Sequence, residues 1–156
     1  MSVKVLLYDD NEALRMSLEA LIEENDDFEL MAMMPNAETV ETDIKEMKPD
    51  VILMDIDMPV VNGVEAVKKI RKTNDKLPII MLTVLEDNEN IFNAICAGAS
   101  GYIIKRYATE EIPAAIRNVL TGGAPMTGSV AKKVLQMVPQ AKTTEQEKSD
   151  LSEKET

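Results

Sequence analysis

The sequence predicts an α/β protein: five βα units forming a doubly wound parallel sheet of strand order 2-1-3-4-5, followed by one extra C-terminal helix. Three observations lead there. Short apolar runs alternate five times with amphipathic stretches, the rhythm of a parallel sheet covered by helices. The middle runs, VILM and PIIML, are wholly apolar, as strands buried on both faces must be. Right-handed crossovers then leave few topologies, and 2-1-3-4-5 is the natural five-stranded solution.

Each element has its own signal. VKVLLY (3–8) reads as the first strand, and NEALRMSLEALIEEN (11–25) as a helix whose Leu14, Leu18, Leu21 and Ile22 recur at helical spacing. FELMAMM (28–34) is the second strand and NAETVETDIKEM (36–47) the second helix. VILM (51–54) is the third strand; a Pro59–Gly63 loop leads into a helix from Gly63 to about Asn74. PIIML (78–82) is the fourth strand, DNENIFNAICAGA (87–99) a helix closed by glycines, and GYII (101–104) the fifth strand. In TEEIPAAIRNVLTGG (109–123), Thr109 reads as an N-cap, Glu110 and Glu111 suit the first turn, Pro113 falls within that turn, and Gly122 or Gly123 ends the helix. APMTGSVAKKVLQMV (124–138) offers a further helix striped by Val130, Val134, Leu135 and Val138, stopped by Pro139. Residues 139–156 are polar with a lone Leu151 and read as a tail or interdomain linker. The expected organisation is a domain over 1–123, a linker helix over 124–138 and a polar segment over 139–156.

Composition narrows the function. A net charge of −11 argues against this polypeptide gripping nucleic acid by itself, because such binding starts with cations on phosphates. No apolar run nears the about 20 residues a membrane helix requires, and no signal segment opens the chain. There is no histidine, which excludes Ser-His-Asp and Cys-His catalysis and histidine metal sites. The single cysteine, Cys96, excludes an internal disulfide, suits a cytoplasmic setting, and in NAICAGA reads as a packed, inert thiol.

The strand ends carry the chemistry. Asp9 and Asp10 follow the first strand, Asp55 the third, Thr83 the fourth and Lys105 the fifth. Each has an ordinary explanation alone: acids cap helices, threonines sit in turns, lysines are solvated. Together, at successive carboxyl ends of parallel strands, they converge on the edge where ligands bind. Carboxylates about 4 Å apart repel by on the order of 4 kcal/mol at an effective dielectric near 20. A hard divalent cation with oxygen ligands relieves this. Lys105 adds positive charge and Thr83 a hydroxyl donor, and a phosphoryl group in transfer needs little beyond such positioning and charge.

These residues resemble the receiver domains of bacterial two-component response regulators, with a flavodoxin-like fold, over roughly residues 2–122. The resemblance is carried by YDD, LMDIDMPVVNG, MLT before a polar helix start, and GASGYIIK. It implies that Asp55 is the phosphoacceptor, that Asp10 binds Mg2+ directly and Asp9 through water, and that the backbone carbonyl of Asp57 is a further ligand. It implies that Thr83 and Lys105 bind phosphoryl oxygens and that Tyr102 is the switch aromatic. Leu85 and Asp57 would flank the hydrolytic water and tune the phosphoryl lifetime. Many receivers carry a cis proline after the lysine; Arg106 stands there instead, which argues against a cis bond. That substitution, LTGGAPMTGSVAKKVL and the closing LSEKET resemble the NarL/LuxR-type regulators.

The resemblance therefore implies a sensor histidine kinase or phosphotransfer protein as donor, possible homodimerisation on phosphorylation, and DNA contact only through an output domain that this chain lacks. It implies a signalling switch in transcription regulation rather than a turnover enzyme. A stand-alone receiver is the alternative. Haloacid-dehalogenase-type phosphatases share the strand-Asp-x-Asp pattern of VILMDID, but no Asp follows Lys105 until Asp150. A flavodoxin would place a phosphate where Asp9, Asp10 and Glu12 would repel it.

Overall fold

The computed structural model describes residues 2–137. Its elements are β1 (Val3–Tyr8), α1 (Glu12–Glu23), β2 (Phe28–Met34), α2 (Val40–Met47), β3 (Val51–Met54), α3 (Gly63–Arg71), β4 (Ile79–Thr83), α4 (Asn88–Ala97), β5 (Gly101–Ile104) and α5 (Ala108–Leu120). A sixth helix, α6, covers 128–137. All pairings within the five-stranded sheet are parallel, in the order β2-β1-β3-β4-β5. The fold class and strand order are those the sequence predicts.

Strand alternation builds two cores. Leu6, Tyr8, Ile52, Met54, Ile79, Met81, Tyr102 and Ile104 face the layer containing Val67 and Ile70 of α3, Ile91 and Ala94 of α4, and Val130 of α6. Val5, Leu7, Val51, Leu53, Ile80, Leu82 and Ile103 face Leu18 and Ile22 of α1 and Ile112, Ile116 and Val119 of α5. The apolar stripe of α1 is as read, with Leu14 and Leu21 flanking the buried pair. Burying a side chain such as Leu18 or Ile22 is worth about 1.5–3 kcal/mol.

Several boundaries differ from the sequence reading, each with a local cause. Helix α2 starts at Val40, not at residue 36, because Asn36 Oδ1 takes the Glu38 amide (3.0 Å) in a turn of its own. Helix α3 ends at Arg71 rather than Asn74; the Asn74 side chain instead accepts from the Lys76 and Leu77 amides at 3.1 and 2.9 Å. Asp87 is the N-cap of α4, accepting from Asn90 N at 3.0 Å, and Gly98 closes that helix at φ 111°. Thr83 is the last residue of β4 rather than the first beyond it.

Thr109 is not an N-cap. A 3-10 turn, Lys105–Tyr107, runs straight into α5, so Thr109 already lies inside the helix and Pro113 lies past its first turn. Helix α6 starts only at 128 because residues 125–127 run along β5: Tyr102 N donates to Pro125 O (2.9 Å) and Thr127 N to Tyr102 O (3.1 Å). Of the expected stripe, Val130 is buried and Val134 packs on the core, but Leu135 is 65% exposed and Met137 takes the packing role. Val138, Pro139 and the segment 139–156 lie outside the described residues. Cys96 is exposed, not packed as its apolar surroundings in sequence suggested. No cis peptide occurs among the described residues, consistent with Arg106 after Lys105.

Candidate functional site

The parallel register brings the strand ends to one edge. Tyr8 pairs with Met54, so Asp9 and Asp55 leave neighbouring strands side by side; Thr83 pairs with Ile104, so Lys105 emerges next to it. Asp9 and Asp55 are buried at 0% and 2% exposure, while Asp10 is open to solvent. One oxygen from each of Asp9, Asp10 and Asp55 lies within 4.8 Å of the other two.

Lys105 reaches into this cluster. Its Nζ is 2.8 Å from Asp9 Oδ2 and 3.0 Å from Asp55 Oδ2. Only the Asp55 contact is aligned as a hydrogen bond. Asp9 Oδ2 is thus sealed from solvent, next to a cation, yet accepts no directed hydrogen bond. Its other oxygen takes the Asn11 amide at 2.8 Å. Asp55 Oδ1 takes the Asp57 amide at 3.3 Å, which folds the loop after β3 around the carboxylate.

The electrostatics follow from burial and like charge. Asp55 is raised from an ordinary 3.8 to about 6, first by burial and then by Asp9, against the lowering pull of Lys105. Burial acts to lower the pKa of Lys105, but Asp9 and Asp55 raise it on balance, so it stays an ammonium. One lysine does not neutralise three carboxylates. The donor set is all oxygen and net anionic, with Lys105 as its one ammonium. It fits a hard divalent cation.

The remaining sequence candidates lie around this centre. Thr83 is fully buried and its Oγ1 accepts from Leu85 N at 3.2 Å. Asp57 is exposed and contributes its backbone rather than its carboxylate. Tyr102 is fully buried, its ring turned in and its hydroxyl donating to Leu85 O at 2.7 Å. The residue that the resemblance implies as the switch aromatic thus has its ring inside the fold. Burial first, then Asp87 and Glu86, raise the Tyr102 pKa, so it remains a donor.

Three supporting residues escaped sequence reasoning. A Cβ on Gly63 would stand 2.0 Å from the Asp55 carbonyl oxygen, so glycine lets α3 close against the Asp55 backbone. Arg15 Nη1 donates to Asp9 O at 2.7 Å, pinning α1 to the site. Tyr8, just before the acid pair, donates to buried Asp43 Oδ2 at 2.7 Å and is raised by burial and by that carboxylate. Tyr8 and Gly63 stand in the runs YDD and LMDIDMPVVNG, but the contacts they make are not legible there.

The family model of the response regulator receiver domain matches residues 5–117. This chain belongs to that family. The receiver is 32% identical to the transcriptional regulatory protein LnrK of Bacillus subtilis over 133 residues, covering 85% of this chain and 60% of LnrK. It is 31% identical to the response regulator UvrY of Escherichia coli over 153 residues, 98% of this chain and 70% of UvrY. Among solved structures, a LuxR-family two-component response regulator from Aurantimonas sp. SI85-9A1 matches with a TM-score of 0.82 and 27% identity, covering 88% of this chain and 98% of that one. The receiver therefore spans 60–71% of the length of such curated relatives as LnrK and YdfI. Membership separates it from the haloacid-dehalogenase-type phosphatases and the flavodoxins, which share parts of its pattern.

Proposed function

We propose that Asp55 is the phosphoacceptor of this receiver and that a partner histidine kinase or phosphotransfer protein supplies the phosphoryl group. The observation that carries this reading is the Lys105 ammonium within 3.0 Å of both the Asp9 and Asp55 carboxylates. An Asp55 oxygen forms the O–P bond, the P–N bond of the donor phosphohistidine breaks, and its electron pair returns to the imidazole. With a pKa of about 6, Asp55 is mainly the carboxylate nucleophile at neutral pH.

Asp9, Asp10, Asp55 and the Asp57 carbonyl are suited to hold Mg2+, which would supply positive charge to the phosphoryl oxygens when bound. Lys105 exchanges a carboxylate oxygen for a phosphoryl oxygen. The Thr83 hydroxyl, now tied only as an acceptor to Leu85 N, is free to donate to another. The loop after β4 shifts with Thr83, and Tyr102 holds that loop through the Leu85 carbonyl. The new charge biases a two-state equilibrium of this face. Leu85 and Asp57 flank the path of hydrolytic water and set the lifetime of the acyl phosphate.

In this reading residues 1–123 form the receiver, 124–138 a linker helix and 139–156 an interdomain segment. The receiver then acts as a cytoplasmic switch that controls a DNA-binding domain and dimerises when phosphorylated; the relatives named as transcriptional regulatory proteins support the part in transcription. Incubation with acetyl phosphate and Mg2+ should give an alkali-labile phosphoprotein, and Asp55→Asn should give none. Equal labelling of the variant would overturn the assignment.

A further inference from the structure

We infer that Glu86 is a latch that ties the loop after β4 to helix α6, so that phosphorylation of the receiver loosens α6. The inference rests on the acceptor reading above and adds a coupling residue to it. Glu86 sits three residues past Thr83, within the same loop. Its Oε1 accepts from Ser129 Oγ at 3.1 Å, and its backbone carbonyl accepts from Lys133 Nζ. Its Oε2 is held by Arg106 Nη2 at 3.4 Å, and Arg106 directly follows Lys105. One acidic residue thus joins the neighbourhoods of both phosphoryl-binding side chains to the helix leading toward the C-terminus.

The connection is built in rather than a chance surface contact. Residues 125–127 lie against β5, and Tyr102 grips both sides: its backbone bonds Pro125 and Thr127, its hydroxyl the Leu85 carbonyl. A Cβ on Gly101 would stand 2.6 Å from the Pro125 carbonyl oxygen, so glycine is what allows that close approach. Thr127 Oγ1 accepts from Ile104 N at 2.9 Å and donates to Glu111 at 3.1 Å. Val130 then anchors α6 in the core at 0% exposure. The segment up to Val130 is therefore firmly held, while the Ser129 and Lys133 bonds to Glu86 depend on where the loop sits. When Thr83 follows a phosphoryl oxygen, Leu85 and Glu86 are carried along, and these bonds lengthen.

The test is amide hydrogen exchange of residues 128–137 in the full chain, with Asp55 labelling measured in parallel by mass spectrometry. In the unlabelled protein, Ser129→Ala combined with Lys133→Met should speed exchange there about tenfold, as expected from losing two hydrogen bonds. Asp55 should still take the label in this variant, to at least the wild-type extent, because coupling between the latch and the acceptor is reciprocal. Acetyl phosphate with Mg2+ should produce a similar rise in the wild type and little further rise in the variant. A labelled wild type with unchanged exchange in 128–137 would overturn the latch while leaving the acceptor reading intact. Unchanged exchange in the unlabelled variant would overturn it as well. A wild type that takes no label removes the acceptor reading and the latch with it.

Discussion

Asp55→Asn is expected to stabilise the metal-free receiver. The Asp55 side chain is 3% exposed, and its carboxyl sits at about 6 rather than 3.8, through burial first and the Asp9 charge second. A carboxyl whose folded pKa is raised favours the protonated form within the fold. Its ionisation therefore costs stability: nothing well below the unfolded pKa, an increasing amount as pH rises from 3.8 toward 6, and the full amount above. A shift of about two units at 1.36 kcal/mol each gives about 3 kcal/mol. Asparagine keeps the shape and removes the charge. With about 2–4 °C per kcal/mol for a domain of this size, the variant should melt roughly 6–12 °C above the wild type near pH 7 in a chelating buffer. The difference should shrink as pH falls and vanish only below about pH 3, well under the unfolded pKa of 3.8, where the wild-type group carries the proton in both states. Thermal unfolding followed by circular dichroism measures both. Adding Mg2+ should raise the melting point of the wild type more than that of the variant, which has lost an anionic ligand. A variant melting at or below the wild type in metal-free buffer near neutral pH would refute the reasoning.

Three other substitutions probe other links in the chain. Val60 has φ 72° and is 76% exposed; a β-branched residue there is strained, so Val60→Gly should gain about 1 kcal/mol after glycine's entropy cost, seen as a melting point raised by about 2–4 °C. Gly63→Ala forces a methyl to within 2.0 Å of the Asp55 carbonyl oxygen, so it should lower the melting point and abolish acetyl phosphate labelling even where the variant folds. Tyr102→Phe removes the hydroxyl donor to Leu85 O and should cost about 1 kcal/mol in denaturant unfolding, with Asp55 labelling retained.

The sequence carried the sheet because each strand is a short apolar run and each site residue lies at or beside a strand end. Once the order of strands follows from chirality, Asp9, Asp55 and Lys105 have to meet. Helix ends were harder to read because side chains compete with the helix for backbone groups. Asn36 and Asn74 each form a local turn that periodicity does not register. Thr109 looked like a cap because the 3-10 turn before it has no sequence signature. Leu135 and Cys96 were misplaced because a helix's buried stripe depends on which neighbours cover it. Gly63 and Glu86 were invisible for a related reason: their roles exist only in contacts between distant segments.

The acceptor assignment meets its most direct test in chemical trapping. The receiver is treated with acetyl phosphate and Mg2+, the acyl phosphate is reduced with borohydride, and the peptides are sequenced by mass spectrometry. Asp55 should appear as homoserine, with Asp9, Asp10 and Asp57 unmodified. Conversion at any of those three instead, or at none of the four, would contradict the account.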